Sequence, residues 1–335
     1  MIDSDSNHSG GDGQRCDPNP CAVELVDEAS CRWHEADVPL PERGVRFDWL
    51  CNFVRSIYWQ RNEPVRKQLE LREQARQWED YARHYPGDLP TPDAIKGVLD
   101  GPEPKFYCAT VHDLVTEHIV PLTQRIRAPL YARVPPSDRG KPAVFLSHAW
   151  ANSVLSPEPL WHGGTLDAFN SEGIAGIKQK FVWIDFVCYN QHTVASDSIA
   201  FDMEAIIRSI GKVAFAVTPT PLFDRIWCLW EVLSTSQVGA KTQFCVGPGY
   251  RTDKRVIVNK FFESFKSIQE ARASKTGDYE KLLAAMISRF GSITAADEYM
   301  RKLMREKMGH AWFELYSEGN RDARSNGGDA RPVGF

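Results

Sequence analysis

The apolar positions change their period along the chain, and each change marks a different kind of structure. "FDWLCNFVRSIYWQ" places Trp49, Leu50, Phe53, Val54, Ile57 and Tyr58 three and four residues apart, the spacing that gathers side chains on one helix face. Pro64 interrupts that stripe, because it lacks an N–H and crowds the preceding turn. "VRKQLELREQARQWEDYARHY" then resumes as a charged helix, ended by Pro86 and Gly87. A third helix is predicted in "TVHDLVTEHIVPLTQRI", kinked or split at Pro121. "RVPPSDRGKP" reads as a linker and marks the clearest boundary.

Beyond it the pattern becomes short apolar runs. "AVFLSHAW" (143–150) and "KFVWIDFVCYNQ" (180–191) read as buried strands opening into polar loops, and "KVAFAVTP" and "TQFCVG" as two more. Between them, "FDMEAIIRSIG" is an amphipathic helix with Met203, Ile206, Ile207 and Ile210 inward and Gly211 at its end, and "WCLWEVLSTSQ" starts another. Strands alternating with helices, without hairpin turns, predict a parallel sheet covered on both faces. From about residue 252 the pattern is helical again, in "RVIVNKFFESFKSIQEARAS", "YEKLLAAMISRF" and "AADEYMRKLMREKM".

The expected organisation is therefore a disordered leader (1–42), a helical region (43–135), an α/β domain (141–250), a C-terminal helical region (251–318) and a disordered tail (319–335). The leader and tail owe that reading to Gly, Ser, Asp, Pro and Arg in place of apolar residues.

Composition adds exclusions. A net charge of −4 over 335 residues gives no electrostatic case for a nucleic-acid or anionic-membrane partner. No apolar run approaches the roughly 20 residues that span a bilayer, and the polar, acidic start is unlike a signal peptide. A cytoplasmic location is the expectation. Eight cysteines in a chain this long do not read as a disulfide framework; Cys108, Cys188, Cys228 and Cys245 lie in or beside apolar segments, as small buried hydrophobes do. Cys16, Cys21, Cys31 and His34 stand close together, but their spacing matches no standard zinc template, so an unliganded leader is expected.

Ligands of parallel α/β folds bind outside the carboxyl ends of the strands. Polar residues fall there: Ser147, His148 and Trp150 after the first strand, Asp185 late in the second, and Glu231 beyond the third. Each also has a plain structural explanation. Glu231 in the first turn of a helix is stabilised by the helix dipole. Ser147 can cap a turn, and His148 can be a satisfied loop histidine. Asp185, in "VWIDFVC", sits too deep in apolar sequence for an unpaired charge and is expected to bond backbone groups. Trp230 either shields Glu231 from water, raising its pKa, or covers a neighbouring helix. Cys228 has no partnered histidine at a telling position and reads as packing. "WHGGTLD" (161–167) lacks a P-loop lysine and reads as a turn.

"VFLSHAW", "WIDFVCYNQ", "MEAIIRSIGKVAFAVTP" and "RIWCLWEV" occur in the order and spacing of a TIR (Toll/interleukin-1 receptor) domain, which residues 141–248 resemble. The second segment is also similar to the Trp-Ile-Asp-x-x-Cys-x-x-Gln signature of fungal heterokaryon-incompatibility (HET) domains. The resemblance implies a flavodoxin-like parallel sheet and, as in enzymatic TIR domains, cleavage of the nicotinamide–ribose bond of NAD in stress or defence signalling. Glu231 would be the catalytic carboxylate, with Ser147, His148, Trp150 and Trp230 at the substrate. Trp227 would pack its helix on the sheet, with Asp185 and Cys228 structural. NAD is substrate, and no metal or other cofactor is implied. Self-association or other TIR-like domains are the implied protein partners, and a catalytically silent TIR-like adaptor is the alternative, with a different nucleotide-processing enzyme as a third reading. Two departures stand out: "CYNQHTVASDS" lacks the Pro or Gly tip usual in the family's assembly loop, and "SPEPLWHGG" lengthens the segment between the first two strands.

Overall fold

The structure is a computed structural model, and it describes residues 23–31, 33–34, 37–84, 102, 107–155, 164–171, 174, 176–193, 199–218, 222–247, 263, 265–273 and 276–306. Its centre is a six-stranded sheet: β1 (Gly44–Arg46), β2 (Arg139–Gly140), β3 (Val144–Ser147), β4 (Phe181–Trp183), β5 (Lys212–Val217) and β6 (Lys241–Val246). The spatial order is β2-β1-β4-β3-β5-β6. β3 pairs in parallel with β4 and with β5, and β5 in parallel with β6. β1 runs antiparallel to both β4 and β2. The α/β, mostly parallel architecture is the one predicted.

Burial on both faces explains the composition of the central strands. Every residue of Val144–Ser147 is buried, and Val213 to Val217 are buried without a polar alternate. Such runs suit parallel strands covered by helices on either side. The covering helices are α3 (Thr165–Ser171), the single turn α4 (Asp185–Cys188), α5 (Ile199–Ile210) and α6 (Ile226–Gln237). The order of connection reverses across the sheet: β3 to β4 steps one way, and β4 to β5 to β6 the other. Right-handed crossovers then require α3 on one face and α5 and α6 on the other. Met203, Ile206 and Ile207 of α5 are buried as the periodicity requires, Ile210 is half-buried, and Gly211 closes the helix at φ 72°.

The flanks are part of this body. α1 (Phe47–His84) follows β1 directly and buries Phe47, Leu50, Phe53 and Val54. It runs through Pro64, where the sequence predicts an interruption. Beside that proline the Arg66 guanidinium donates to the Trp59 carbonyl at 3.2 Å. α2 (111–123) is one continuous helical segment, not a split one. It starts in a capping box between Thr110 and Asp113 and contains a π-turn, Leu114–Ile119, which brings Pro121 to the opening of the next stretch, where a missing N–H costs little.

The stretch read as a linker is built into the sheet. Arg139 and Gly140 form β2, and Arg46 pairs with Asp138 at 2.8 Å. Part of the expected leader is likewise fixed. The Val26 N–H donates to the Arg133 carbonyl at 2.9 Å, the Cys31 thiol donates to the Ala132 carbonyl, and the Trp183 indole donates to the Leu40 carbonyl at 3.0 Å. Residues 1–22 and 307–335, with Cys16, Cys21 and the tail, lie outside the described residues. C-terminally, α7 (Thr276–Phe290) and α8 (293–306) follow the prediction. Residues 265–273 do not form the predicted helix: Asp297 accepts from the Ser267 hydroxyl and the Ile268 N–H, and a single 3-10 turn (Ile268–Glu270) remains. Tertiary hydrogen bonds outweigh local helix preference there.

Candidate active site

The order of connection reverses between β3 and β5, which lie side by side in parallel, and ligand crevices form at such a switch point, at the carboxyl ends. Ser147 is the last residue of β3 and pairs in register with Phe215 of β5. Its hydroxyl donates to Glu231 Oε2 at 2.5 Å, joining β3 to α6 across 84 residues of sequence. Glu231 is the sixth residue of α6, and no acidic residue occupies that helix's first turn. The dipole explanation therefore does not apply, since the effect fades beyond the first turn. Glu231 is only 7% exposed, and burial pushes its carboxyl up to about 8; the Asp185 charge adds to this, and the Ser147 hydrogen bond opposes it. Near neutral pH it is mostly the neutral acid.

Asp185 is the residue whose place the sequence reading missed. It opens α4 just past β4 instead of ending the strand, and it makes more than backbone bonds. Oδ1 accepts the Phe186 N–H at 2.7 Å, and Oδ2 accepts the Trp150 indole N–H, also at 2.7 Å. His148 Nε2 stands 3.6 Å from Oδ1, too far for a hydrogen bond. The strand register brings it to the site. Val144 faces Val182 and Phe145 faces Trp183, so two steps further Ser147 and Asp185 reach the same level.

His148 is buried and is not a satisfied loop histidine. Phe186 meets the imidazole edge-on, and Nε2, which has almost no accessible surface, has no hydrogen-bond partner among the described residues. Desolvation keeps the ring's pKa low against the pull of Asp185, so it is neutral at physiological pH. Trp150 is half-buried beside it. Cys228 donates to the His148 carbonyl at 3.4 Å, and burial holds its thiol well above the usual range, which leaves it a packing group with no thiolate to offer.

Two tryptophans sit elsewhere than expected. Trp230, expected at the substrate, is buried, and the Arg289 guanidinium of α7 lies 4.9 Å over its ring. Arg289 also reaches Glu204 of α5 at 2.6 Å, so this cluster ties three helices together. Trp227, expected to anchor α6 on the sheet, is half-buried, and its indole donates to Asp278 of α7 at 3.3 Å. The structure thus gathers Ser147, His148, Trp150, Asp185 and Glu231 and directs Trp227 and Trp230 toward the C-terminal helices. Among the described residues no group of three or more metal-type ligands occurs, and no helix is long and apolar enough to cross a membrane.

No family model, curated protein or solved structure matches this chain.

Proposed function

We propose that this chain is a TIR-like NAD glycohydrolase acting in cytoplasmic stress or defence signalling, with Glu231 as the catalytic carboxylate. The observation that carries the reading is the buried Ser147–Glu231 hydrogen bond at the carboxyl end of the sheet. Taken in chain order, the parallel strands lie 2-1-3-4 in space, the order with which flavodoxin-like sheets begin. The TIR resemblance of residues 141–248 points to the same fold.

The chemistry asks for one carboxylate. The nicotinamide of NAD is already cationic, so the C1′–N bond can break with its electron pair passing to the ring nitrogen, without a general acid. Positive character grows on the ribose, and a carboxylate beside it offsets that charge until water adds to C1′ and releases a proton. The approach of a pyridinium also lowers the Glu231 pKa, because an opposite charge favours the ionised form. Ser147 acts in the same direction and fixes the carboxyl's orientation. Neutral His148 adds no charge that repels the cationic ring. Trp150 offers a partly exposed aromatic face beside it.

A second reading, a silent TIR-like adaptor, draws on the burial of Glu231, which leaves its carboxyl little contact with solvent. Purified protein incubated with NAD separates the two. Nicotinamide release is expected from the wild type, with Glu231→Gln slower by roughly 10²–10³. Equal, near-zero release from both, in dilute and in concentrated samples, is the result that leaves the adaptor standing.

A further inference from the structure

The proposed reaction needs a ribose against the Glu231 carboxyl, yet Ser147, His148 and Glu231 are all buried. A segment at the carboxyl end of the sheet must move before a dinucleotide can enter. β3 and α6 are core elements and hold their places. The chain that borders the carboxyl without belonging to a strand or a helix is the loop continuing from Ser147, residues 148–153. Its first carbonyl, that of His148, accepts the Cys228 thiol at 3.4 Å, within one turn of Glu231 along α6. Much of what fixes this loop comes from outside the α/β region. Residues 108–112, which lead into α2, run alongside it. Thr110 and Ser153 form an antiparallel bridge, the Val154 N–H donates to the Ala109 carbonyl at 3.1 Å, and the Cys108 thiol meets the Ser153 hydroxyl at 2.7 Å.

The first turn of α2 completes the hold. A helix begins with four backbone N–H groups that its own turns cannot serve. In α2 the N–H groups of Thr110 and Asp113 go to each other's side chains in the capping box. The two between them leave the helix: Val111 donates to the Asn152 carbonyl at 3.0 Å and His112 to the Trp150 carbonyl at 3.2 Å. We propose that this first turn is a latch, in which the Val111 and His112 N–H groups hold loop 148–153 closed against the Glu231 carboxyl, and that its release admits a dinucleotide. The latch rests on the glycohydrolase reading for what enters, and adds how entry is controlled. Within the α/β region the loop is also tied by the Trp150 indole to Asp185 and, at its far end, by the Asn152 amide to the Thr218 hydroxyl. Loss of a latch bond therefore weakens the closed state without abolishing it. Water serves each freed group, so one such bond is worth only about two- to tenfold in the closing equilibrium.

Val111→Pro in the full-length protein removes one latch N–H. Proline is tolerated at the first helical position, and Thr110, at ψ 168°, already has the extended backbone that a following proline requires. Thr110→Val is the second variant: it keeps the shape and removes the hydroxyl that caps the turn. The readout is the rate at which iodoacetamide labels Cys228 in the folded protein, located by mass spectrometry. Cys51 in α1 and Cys245 in β6, both buried, report global unfolding in the same sample. Cys228 labelling is expected to rise about two- to tenfold in both variants while Cys51 and Cys245 keep their wild-type rates, and nicotinamide release from NAD is expected to rise by a similar factor. Unchanged Cys228 labelling in a folded variant overturns the latch. So does faster labelling with release no higher than that of an active wild type, because the loop then does not limit entry. Raised labelling with no release from any of the proteins supports the latch and sinks hydrolysis. Hydrogen exchange of the wild type covers the case in which both variants unfold. The Val111 and His112 amides are expected to exchange in step and with weaker protection than the β5 amides. Protection equal to that of β5 overturns the proposal, since the turn then opens only when the whole molecule unfolds.

Discussion

Glu231 shows how a single carboxyl can be built to resist ionisation. The unfolded chain loses that proton near 4.5, while the folded chain holds it to about 8. Below pH 4.5 both states carry the neutral acid, and the native state bears no penalty. As pH rises from there, the unfolded chain ionises first, and stability falls until the folded group also ionises. The wild type should therefore lose stability between about pH 4.5 and 8, and Glu231→Gln should remove that part of the loss. At pH 9 the variant should be the more stable by on the order of a few kcal/mol. Urea midpoints across this range check it, and parallel curves for the two proteins would contradict it. Ser147→Ala should act the other way. Without a donor that favours the anion, the carboxyl ionises later, and the alkaline loss extends to higher pH. On the glycohydrolase reading, nicotinamide release per unit NAD should rise with pH through the region of 8, with the S147A profile displaced upward. A flat profile in both proteins would show that Glu231 does not titrate in the reacting form.

At the level of elements, what the sequence reveals depends on whether an element is defined by its own residues or by its partners. β3 and β5 are legible because "AVFL" and "VAFAV" are apolar without alternation, as strands covered on both faces must be. α5 is legible through Met203, Ile206 and Ile207. β1 and β2, three and two residues long, carry no such run and are strands only because neighbours accept them. Their join depends on two glycines. Gly44 faces Gly140 across the pair, and a Cβ on Gly140 would meet the Phe181 ring at 2.6 Å. Gly140→Ala should cost about 1–3 kcal/mol, the usual penalty for overpacking, read as a fall in the urea midpoint. An unchanged midpoint would mean that Phe181 yields freely, although the Arg46 guanidinium lies 5.0 Å over its ring. Asp185 was readable in type but not in role. Its apolar setting says that it must be bonded, whereas the indole that bonds it comes from another strand's loop, 35 residues away.

For the whole molecule, the question is whether residues 141–250 form a unit in their own right. Its sheet says otherwise. β1 lies between β2 and β4, so removing the N-terminal region uncovers the backbone edge of Phe181 and Val182 and strips away the buried face of α1. On the opposite side, α6 loses the partners that cover its tryptophans, Asp278 for Trp227 and Arg289 for Trp230. The Arg225–Arg272 bridge at the start of α6 disappears as well. An exposed strand edge beside uncovered aromatic surface is a template for aggregation. A fragment of residues 141–250 should therefore precipitate or melt without cooperativity, while the full chain unfolds in one transition. Sedimentation and thermal melts of the two decide this. A soluble fragment with a sharp transition would mean that the flanks are accessories laid on an independent domain, and would recast their role as regulation of the Glu231 site. Arg289→Ala in the full chain isolates the C-terminal contribution: it removes the cation over Trp230 and the Glu204 ion pair together, and should lower stability by about 1–3 kcal/mol. If the melt does not move, α7 is held by Trp227 and its apolar face, and the Glu204–Arg289–Trp230 cluster contributes position without stability.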